Sequence, residues 1–208
     1  MKTIETWFFI GLLAIVLIFG AGMYFVGSSG HVSTSTQHSS NEYNITLVIT
    51  NQNYMASAGK NQPAYYVLEN GKMMSSAQIY LPSNSLVTMT IINYDFGPGS
   101  VSSAYSKVTG TLNNTEYVVN DTNINKSSSA SGQWVSTVPS ADLAHTFTIP
   151  QMNLNVLIPS DSIVVASFHT PKSGVFSWQC EVDCGTGSSG WGGAMTTPGW
   201  MQGEVVID

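Results

Sequence analysis

The sequence predicts an all-β sandwich or barrel that follows one N-terminal transmembrane helix. Three observations lead to this fold class. Residues 7–26 carry no charge, residues 27–42 contain almost nothing that could pack, and the remainder consists largely of short β-branched and aromatic runs separated by Gly, Pro, Asn and Ser. No long stretch of helical periodicity follows residue 42, so strands are expected to build the globular part.

The predicted transmembrane helix spans Trp7–Val26 within an anchor of residues 1–27. A run of this length, at 1.5 Å per residue, crosses the roughly 30 Å core of a bilayer. A cleaved signal peptide is the alternative, but its apolar segment is shorter and ends in small residues, whereas this one ends in bulky Met23–Val26. Lys2 precedes the helix and no further basic residue occurs before Lys60. This charge bias predicts a single-pass protein of the cell membrane with its C-terminal domain outside the cytoplasm.

Residues 28–42 are expected to form a flexible linker, because they are dominated by Ser, Thr, Gly and other polar residues. His31 and His38 lie in this segment. Two imidazoles on a flexible chain lose too much entropy to make a tight metal site. The linker is therefore expected to separate the anchor from a domain of residues 43–208.

The composition is typical of an extracytoplasmic protein that does not bind nucleic acid. The chain of 208 residues has 12 acidic and six basic residues, all six of them Lys, and a net charge of −6. Scattered lysines form no basic patch, which excludes nucleic acid as a partner. Four sequons, each beginning with the acceptor asparagine, predict glycosylation of the exterior part; they start at Asn44, Asn113, Asn120 and Asn125.

Eight runs are expected to form the strands of the domain. They are YNITLVIT (43–50), AYYVLEN (64–70), AQIYLP (77–82), SLVTMTIINYD (85–95), HTFTIP (145–150), SIVVASFH (162–169), VFSWQC (175–180) and GEVVID (203–208). The run 85–95 alternates but has apolar residues on both sides, which is typical of a strand near the centre of a sandwich. Residues 97–143 are poor in apolar residues. We expect this inserted, glycosylated region to contain an extra hairpin of residues 105–112 and 116–120.

Cys180 and Cys184 are the only cysteines and stand as C-x3-C directly after an aromatic run. Three interpretations are open. Outside the cytoplasm, two thiols at this spacing can form a disulfide. They could also bind zinc, although structural zinc sites usually have four Cys or His ligands and C-x2-C spacing. Finally they could bind copper, whose soft ligands are the Cys thiolate, the imidazole and the Met thioether.

His145 and Met201 are expected to join the two cysteines. His145 opens the run HTFTIP, and Met201 leads into the final run. Residues that begin or end adjacent strands at one end of a sandwich converge, so these four side chains can meet around one point. A His on one strand, followed by a Cys-loop-Met unit before the last strand, resembles the cupredoxin family. More narrowly, residues 145–208 are similar to the domain of subunit II of haem-copper terminal oxidases that carries the dinuclear CuA centre.

This resemblance implies a cupredoxin-like Greek-key β-sandwich with an incomplete copper site. The positions that match the CuA ligand motif are His145, Cys180, Cys184, the backbone carbonyl of Val182, and Met201. The family's second His, four residues after the second Cys, is replaced by Ser188, whose hydroxyl is a hard and weak donor to copper. The loop of residues 185–200 is also longer than in the family, and His169 is expected to lie away from the cysteines.

The resemblance further implies subunit II of a membrane haem-copper terminal oxidase in aerobic respiration, a non-catalytic subunit of an oxidoreductase. Its partners would be subunit I, which holds the haem, and the other membrane subunits. The CuA centre receives electrons from cytochrome c or a blue-copper carrier, whereas quinol oxidases of the same superfamily oxidise membrane quinol and lack this centre. The missing His therefore implies a quinol oxidase with a degenerate CuA site, in which Cys180 and Cys184 could form a disulfide.

Two other functions stay open. The first is a membrane-anchored cupredoxin that transfers electrons or delivers copper. It would bind one or two copper ions through His145, Cys180, Cys184 and either Met195 or Met201. The second is a surface adhesion or envelope protein, which is suggested only by the sequons and the polar composition.

Overall fold

The computed structural model describes residues 42–97, 99–120 and 132–208. The predicted membrane helix, all of the linker before residue 42 and the Asn125 sequon lie outside these ranges. In the described part of the chain, no helix is long and apolar enough to cross a membrane. The anchor and its orientation therefore stay predictions, whereas the strand predictions can be compared with the structure directly.

Strands dominate the described residues, as the β-branched and aromatic runs predict. They are β1 Glu42–Thr50, β2 Ala64–Glu69, β3 Lys72–Ser75, β4 Gln78–Leu81, β5 Leu86–Asn93, β6 Glu116–Asn120, β7 Gln133–Val135, β8 Leu143–Ile149, β9 Leu154–Pro159, β10 Ser162–His169, β11 Gly174–Gln179 and β12 Gln202–Ile207. Each of the eight predicted runs corresponds to one of these strands. The sequence does not predict β3, β7 or β9.

The strands form two sheets that pack around a common core. Within the described ranges, the order is β3-β2-β1-β5-β10-β6-β7 in one sheet and β4-β12-β11-β8-β9 in the other. β5 lies between parallel β1 and antiparallel β10. Its residues Val87, Met89 and Ile91 are fully buried, while the intervening ones are half-buried. The all-β sandwich and the central place of the 85–95 run are thus confirmed.

The predicted hairpin in the 97–143 region is correct for residues 116–120, which form β6, and wrong for its partner, residues 105–112. β6 pairs with β10 and β7, whereas residues 105–112 form no strand. Instead, Thr109 and Asn155 exchange backbone hydrogen bonds of 3.2 and 3.0 Å. The side-chain Nδ2 of Asn155 also donates to the Lys107 carbonyl oxygen at 2.8 Å. β9 lies at the edge of its sheet, and an edge strand presents unpaired backbone groups. The 105–112 segment covers that edge and so does not pair with β6.

Several strand ends converge at one end of the sandwich. The end of β5, the start of β8, the end of β11 and the start of β12 lie there. Cys180 follows β11, and its N–H donates to the carbonyl oxygen of Met201, just before β12, at 2.8 Å. The chain then runs along β8, where the Glu181 N–H donates to the Thr146 hydroxyl at 2.8 Å. Residues far apart in sequence therefore meet at this end, as expected for a sandwich.

Candidate metal centre

His145, Cys180 and Cys184 form one compact cluster at the end where these strands converge. The Nδ1 atom of His145 lies 3.2 Å from the Sγ of Cys184 and 3.9 Å from the Sγ of Cys180. The two sulfurs are 3.3 Å apart. All three ligand atoms lie within 4.8 Å of one another. The structure thus brings together the His and both Cys residues that the sequence singles out.

The backbone of β8 directs His145 toward the sulfurs. A register shift between Leu143 and His145 interrupts the pairing of β8 with β9, and irregularities of this kind redirect a side chain. Next to it, the Thr146 N–H donates to the Sγ of Cys180 at 3.5 Å. His145 and Cys180 are fully buried, whereas Cys184 is half-buried. A metal ion would therefore reach the cluster from the side of Cys184.

The carbonyl oxygen of Val182, midway between the cysteines, also faces the two sulfurs. It lies 3.1 Å from the Sγ of Cys184 and 3.7 Å from the Sγ of Cys180. Val182 is itself buried and forms a bridge with Val101, which holds the short loop in place. This is the carbonyl that the family resemblance assigns as a further ligand.

Asp95 lies behind His145 and occupies its second ring nitrogen. The Nε2 of His145 and the Oδ2 of Asp95 are 3.0 Å apart. Asp95 is itself held, because its N–H donates to the Asn93 side chain at 3.0 Å and its Oδ1 accepts from the Gly97 N–H at 3.3 Å. A carboxylate in this position fixes the tautomer with the proton on Nε2 and leaves the Nδ1 lone pair for a metal.

Sequence reasoning missed Asp95. The signal was present but faint, since Asn93, Tyr94 and Asp95 end the apolar run of β5. No rule of sequence spacing connects a single carboxylate at the end of a strand with a His fifty residues later. Only the packing of the end of β5 against the start of β8 reveals the contact.

The side chains of the cluster and Asp95 strongly shift one another's pKa values. Burial lowers the pKa of His145, but its hydrogen bonds with Asp95 and Cys180 outweigh burial and raise that pKa to about 9. Burial raises the pKa of Asp95, yet its contact with His145 holds it below the ordinary value. For Cys180, hydrogen bonds from Cys184 and His145 outweigh burial and lower the thiol pKa. The hydrogen bond to Cys180 raises the pKa of Cys184, so the two thiols titrate as a coupled pair in which Cys180 loses its proton first.

Two methionines lie at the cluster. Met201 is fully buried and lies opposite Cys180 through the backbone hydrogen bond described above. Met195 is also buried, and a Cβ on Gly185 would lie only 2.8 Å from its Cγ. Gly185 directly follows Cys184, so Met195 packs beside the cysteine loop, while Met201 pairs with Cys180 through its backbone.

The position expected for a second His is on the surface. Ser188 is exposed in a turn that is closed by a hydrogen bond of 3.2 Å from the Gly190 N–H to the Gly187 carbonyl oxygen. His169 pairs with Leu86 at the start of β5, at the opposite end of that strand from Asp95. Among the described residues, His145 is therefore the only imidazole in the cluster.

These donors fit one soft metal ion and do not fit a dinuclear CuA centre. Two thiolates and one imidazole, backed by a carbonyl and a thioether, are ligands that copper accepts. Zn²⁺ also accepts a Cys₂His set when water takes a fourth position. The described residues thus provide some of the ligands of a CuA-type copper site, and the second His is absent from the cluster. The disulfide alternative stays a prediction, because both cysteines are free in this structure.

An aromatic wall closes the inner side of the cluster. Tyr65 meets His145 edge-on with ring centroids 6.2 Å apart, and it packs at 5.0 Å against Trp178. Both aromatic side chains are fully buried, and the Trp178 indole donates to the Ser76 carbonyl oxygen at 3.1 Å. Trp178 is therefore a core residue, whereas Trp191 in the 185–200 loop is exposed.

Comparison with protein families and with curated proteins gives no match. Solved structures similar to this chain include a haem-copper terminal oxidase dimer studied by cryo-EM (13% identity, 100% of both chains covered, TM-score 0.38). They also include rusticyanin from Thiobacillus ferrooxidans (13% identity, 81% of this chain and 78% of that chain, TM-score 0.32) and auracyanin B (10% identity, 80% and 88%, TM-score 0.33). All three TM-scores are below 0.5, so the residues of the cluster must decide its chemistry.

Proposed function

We propose that the domain is a cupredoxin-type domain that binds one copper ion through His145, Cys180 and Cys184. The observation that carries this proposal is that one imidazole nitrogen and two sulfurs face each other while Asp95 holds the imidazole from behind. Soft thiolates beside an imidazole favour copper over harder cations. The Val182 carbonyl and the Met201 thioether are available as weak further donors. Bound copper would supply one-electron chemistry.

The chain's own residues prepare the site for such an ion. Asp95 holds the Nε2 proton, so the proton that leaves the imidazolium on metal binding is the one on Nδ1, the nitrogen that faces the sulfurs. The thiol protons leave when a metal binds, and the imidazolium beside Cys180 already favours its thiolate. The buried side of the cluster, closed by Tyr65, excludes water from the sulfurs.

We propose further that this domain belongs to subunit II of a membrane haem-copper terminal oxidase, with quinol as the electron donor. Support comes from the order of anchor, linker and sandwich in the sequence, together with a ligand set for one ion in place of two. Without the second His, the dinuclear port for a soluble donor is incomplete. The subunit would be single-pass, with residues 43–208 outside the cytoplasm, and its partners would be subunit I and the other membrane subunits.

Metal binding tests the first proposal. The full chain, purified in detergent and reduced, would be titrated with Cu(I) against a chromophoric chelator and, separately, with Zn²⁺. We expect one Cu(I) per chain, bound more tightly than Zn²⁺. The copper-loaded protein should lack the intense thiolate charge-transfer colour of a mixed-valence dinuclear centre. Two coppers with that colour would show a complete CuA site, and tighter zinc binding would contradict the copper assignment.

Purification of the native complex tests the second proposal. The chain should purify from its own membranes with a multi-helix haem-copper subunit whose oxygen consumption is driven by quinol. Rapid oxidation of cytochrome c or a blue-copper protein, with copper in excess at the domain, would contradict quinol as the donor. Purification of the copper-loaded chain by itself would instead favour an anchored carrier that transfers electrons or delivers copper, a role that suits the half-buried Cys184.

A further inference from the structure

Two exposed apolar side chains lie together beside a surface pocket outside the metal centre. Trp134 on β7 is 68% exposed, and Leu112 is 41% exposed. Both line a pocket of about 400 Å³ together with Asn113, Thr115 and Ser167. Among the described strands, β7 also lies at the edge of its sheet. An exposed apolar patch on a sheet edge invites association with other chains unless something covers it.

The acceptor of one predicted sequon lies in the same pocket. Asn113 is exposed and has a φ of +59° in the turn of Leu112–Asn114, a left-handed conformation that asparagine tolerates well. Thr115, the third residue of the sequon, donates its hydroxyl to the Leu112 carbonyl oxygen at 3.3 Å. Asn113, Thr115 and Trp134 therefore line one cavity.

We propose that Asn113 carries an N-linked glycan whose first sugar packs against Trp134. In the transfer, the Asn113 amide nitrogen bonds to the anomeric carbon of a lipid-linked sugar phosphate and loses one proton. The bond from that carbon to the phosphate oxygen breaks, and the lipid phosphate leaves. The donor is a lipid-linked oligosaccharide, and a membrane oligosaccharyl transferase catalyses the step. This proposal does not depend on copper binding.

The indole is well placed to hold a sugar. Trp134 packs against Tyr117 in a T-shaped arrangement with a centroid distance of 5.5 Å and an interplanar angle of 62°, while most of its side chain stays exposed. The face of an aromatic ring is electron-rich and attracts polarised C–H groups, such as those on one face of a pyranose ring. A sugar in this position would cover Trp134 and Leu112 and block the edge of β7, which is a solubilising role.

By comparison, Asn44 lies within β1, whose residues 42–49 pair with β5. Asn120 ends β6, and the rest of its sequon lies outside the described residues. Asn113 combines an exposed turn, a complete described sequon and an exposed aromatic partner. We therefore single it out from the four predicted acceptors.

Peptide mass spectrometry tests the modification on protein purified from its native membranes. Cleavage after Lys107 and Glu116 releases residues 108–116, in which Asn113 is the only sequon asparagine. We expect this peptide to carry an added glycan mass, which the variants Thr115→Ala and Asn113→Gln both lose. A wholly unmodified peptide from the native protein would overturn the proposal.

Hydroxyl-radical footprinting tests the packing. Oxidation of Trp134 should be severalfold slower in the glycosylated protein than in Thr115→Ala, and Asn113→Gln should behave like Thr115→Ala. Trp191, which is exposed in the 185–200 loop, is the internal control and should oxidise equally in all three proteins. A glycosylated protein in which Trp134 oxidises as fast as in the variants would overturn the contact between the sugar and the indole.

Discussion

His145 and Glu116 are both completely buried in the sandwich, yet their surroundings differ. His145 has partners at both ring nitrogens, the cysteine sulfurs at Nδ1 and Asp95 at Nε2. Glu116, on β6, accepts the Leu157 N–H at its Oε2 at 3.0 Å, while its Oε1 has no hydrogen-bond partner among the described residues. Both groups have a raised pKa, about 9 for His145 and about 8 for Glu116.

The causes of these two shifts are opposite. At His145, partners of opposite charge overcome burial and favour the charged imidazolium, so the surroundings hold a polar group in one geometry. At Glu116, burial raises the pKa and the Leu157 hydrogen bond only partly opposes it, so the carboxyl group stays neutral. The first environment suits the proposed metal ligand, and the second caps the backbone of an edge strand. Burial alone therefore does not mark a functional site, whereas burial with charged partners does.

The largest effect is expected when a sulfur is removed from the cluster. In Cys180→Ser, a hard hydroxyl replaces a soft thiolate. Cu(I) affinity should fall by more than the roughly 10–100-fold that loss of an outer hydrogen-bonding partner costs. A competition titration measures this. Met73→Leu, which removes a sulfur from edge strand β3, should bind copper like the wild type. Unchanged Cu(I) affinity in Cys180→Ser would show that Cys180 does not bind the metal.

A smaller effect is expected when the partner of His145 is changed and every metal ligand is kept. Asp95→Asn replaces a carboxylate with an amide that can also donate, so the Nε2 proton is no longer required. Cu(I) affinity should fall by about 10–100-fold, and the urea midpoint should fall as well, because the buried imidazolium loses its carboxylate partner, so affinity is measured where both proteins are folded. The exposed Asp142→Asn is the matched control. Equal affinity in both variants would show that Asp95 does not position the imidazole.

Much of the sandwich could be predicted from the sequence because its central strands have a local signal. β5 and β10 alternate between buried and half-buried residues, and such alternation is visible in the sequence. β9 is buried at every residue and shows no alternation, so Leu154–Pro159 was missed. The 105–112 segment was misassigned because its partner is an edge strand more than forty residues away, which no local pattern reveals.

The candidate site likewise contains residues that could be predicted from the sequence and one that could not. His145, Cys180 and Cys184 could be found because their residue types and spacing resemble a known ligand motif. Asp95 could not be found, since its role depends on a single contact between β5 and β8. The exposed position of Ser188 agrees with the expectation that the copper set is incomplete. Residues such as Asp95, which hydrogen-bond to a ligand and do not bind the metal themselves, are thus the hardest part of a site to predict from sequence.

Glu116→Gln should change the pH dependence of stability and not the metal chemistry. The folded protein keeps the Glu116 proton up to about pH 8, while the unfolded chain releases it near 4.5. The unfolded state therefore binds fewer protons in this window, and the wild type should lose about 1.4 kcal/mol of unfolding free energy per pH unit, relative to the variant. Urea denaturation between pH 4 and about pH 9 measures the difference. The unfolding free energy of Glu69→Gln, a change at an exposed position, should depend on pH as that of the wild type does. If the unfolding free energies of the wild type and Glu116→Gln change with pH in parallel, the pKa of Glu116 is not raised.

The smallest effect is expected at the surface position where the family resemblance places a His. In Ser188→His the new imidazole lies on an exposed turn, and hydrogen bonds between Thr186 and Gly192 of 3.0 and 2.9 Å hold the base of that turn. Gly185 is held as well, because its N–H donates to the Gly190 carbonyl oxygen at 2.6 Å. Copper stoichiometry should therefore stay at one per chain, as in the control Ser189→His on the same turn. Metal analysis and the visible spectrum measure this, and a coloured two-copper product from Ser188→His alone would show that the loop can reach the cysteines. If the loop is the barrier, shortening residues 185–200 in the Ser188→His background should add the second copper, because only then can the new imidazole approach the half-buried sulfur of Cys184.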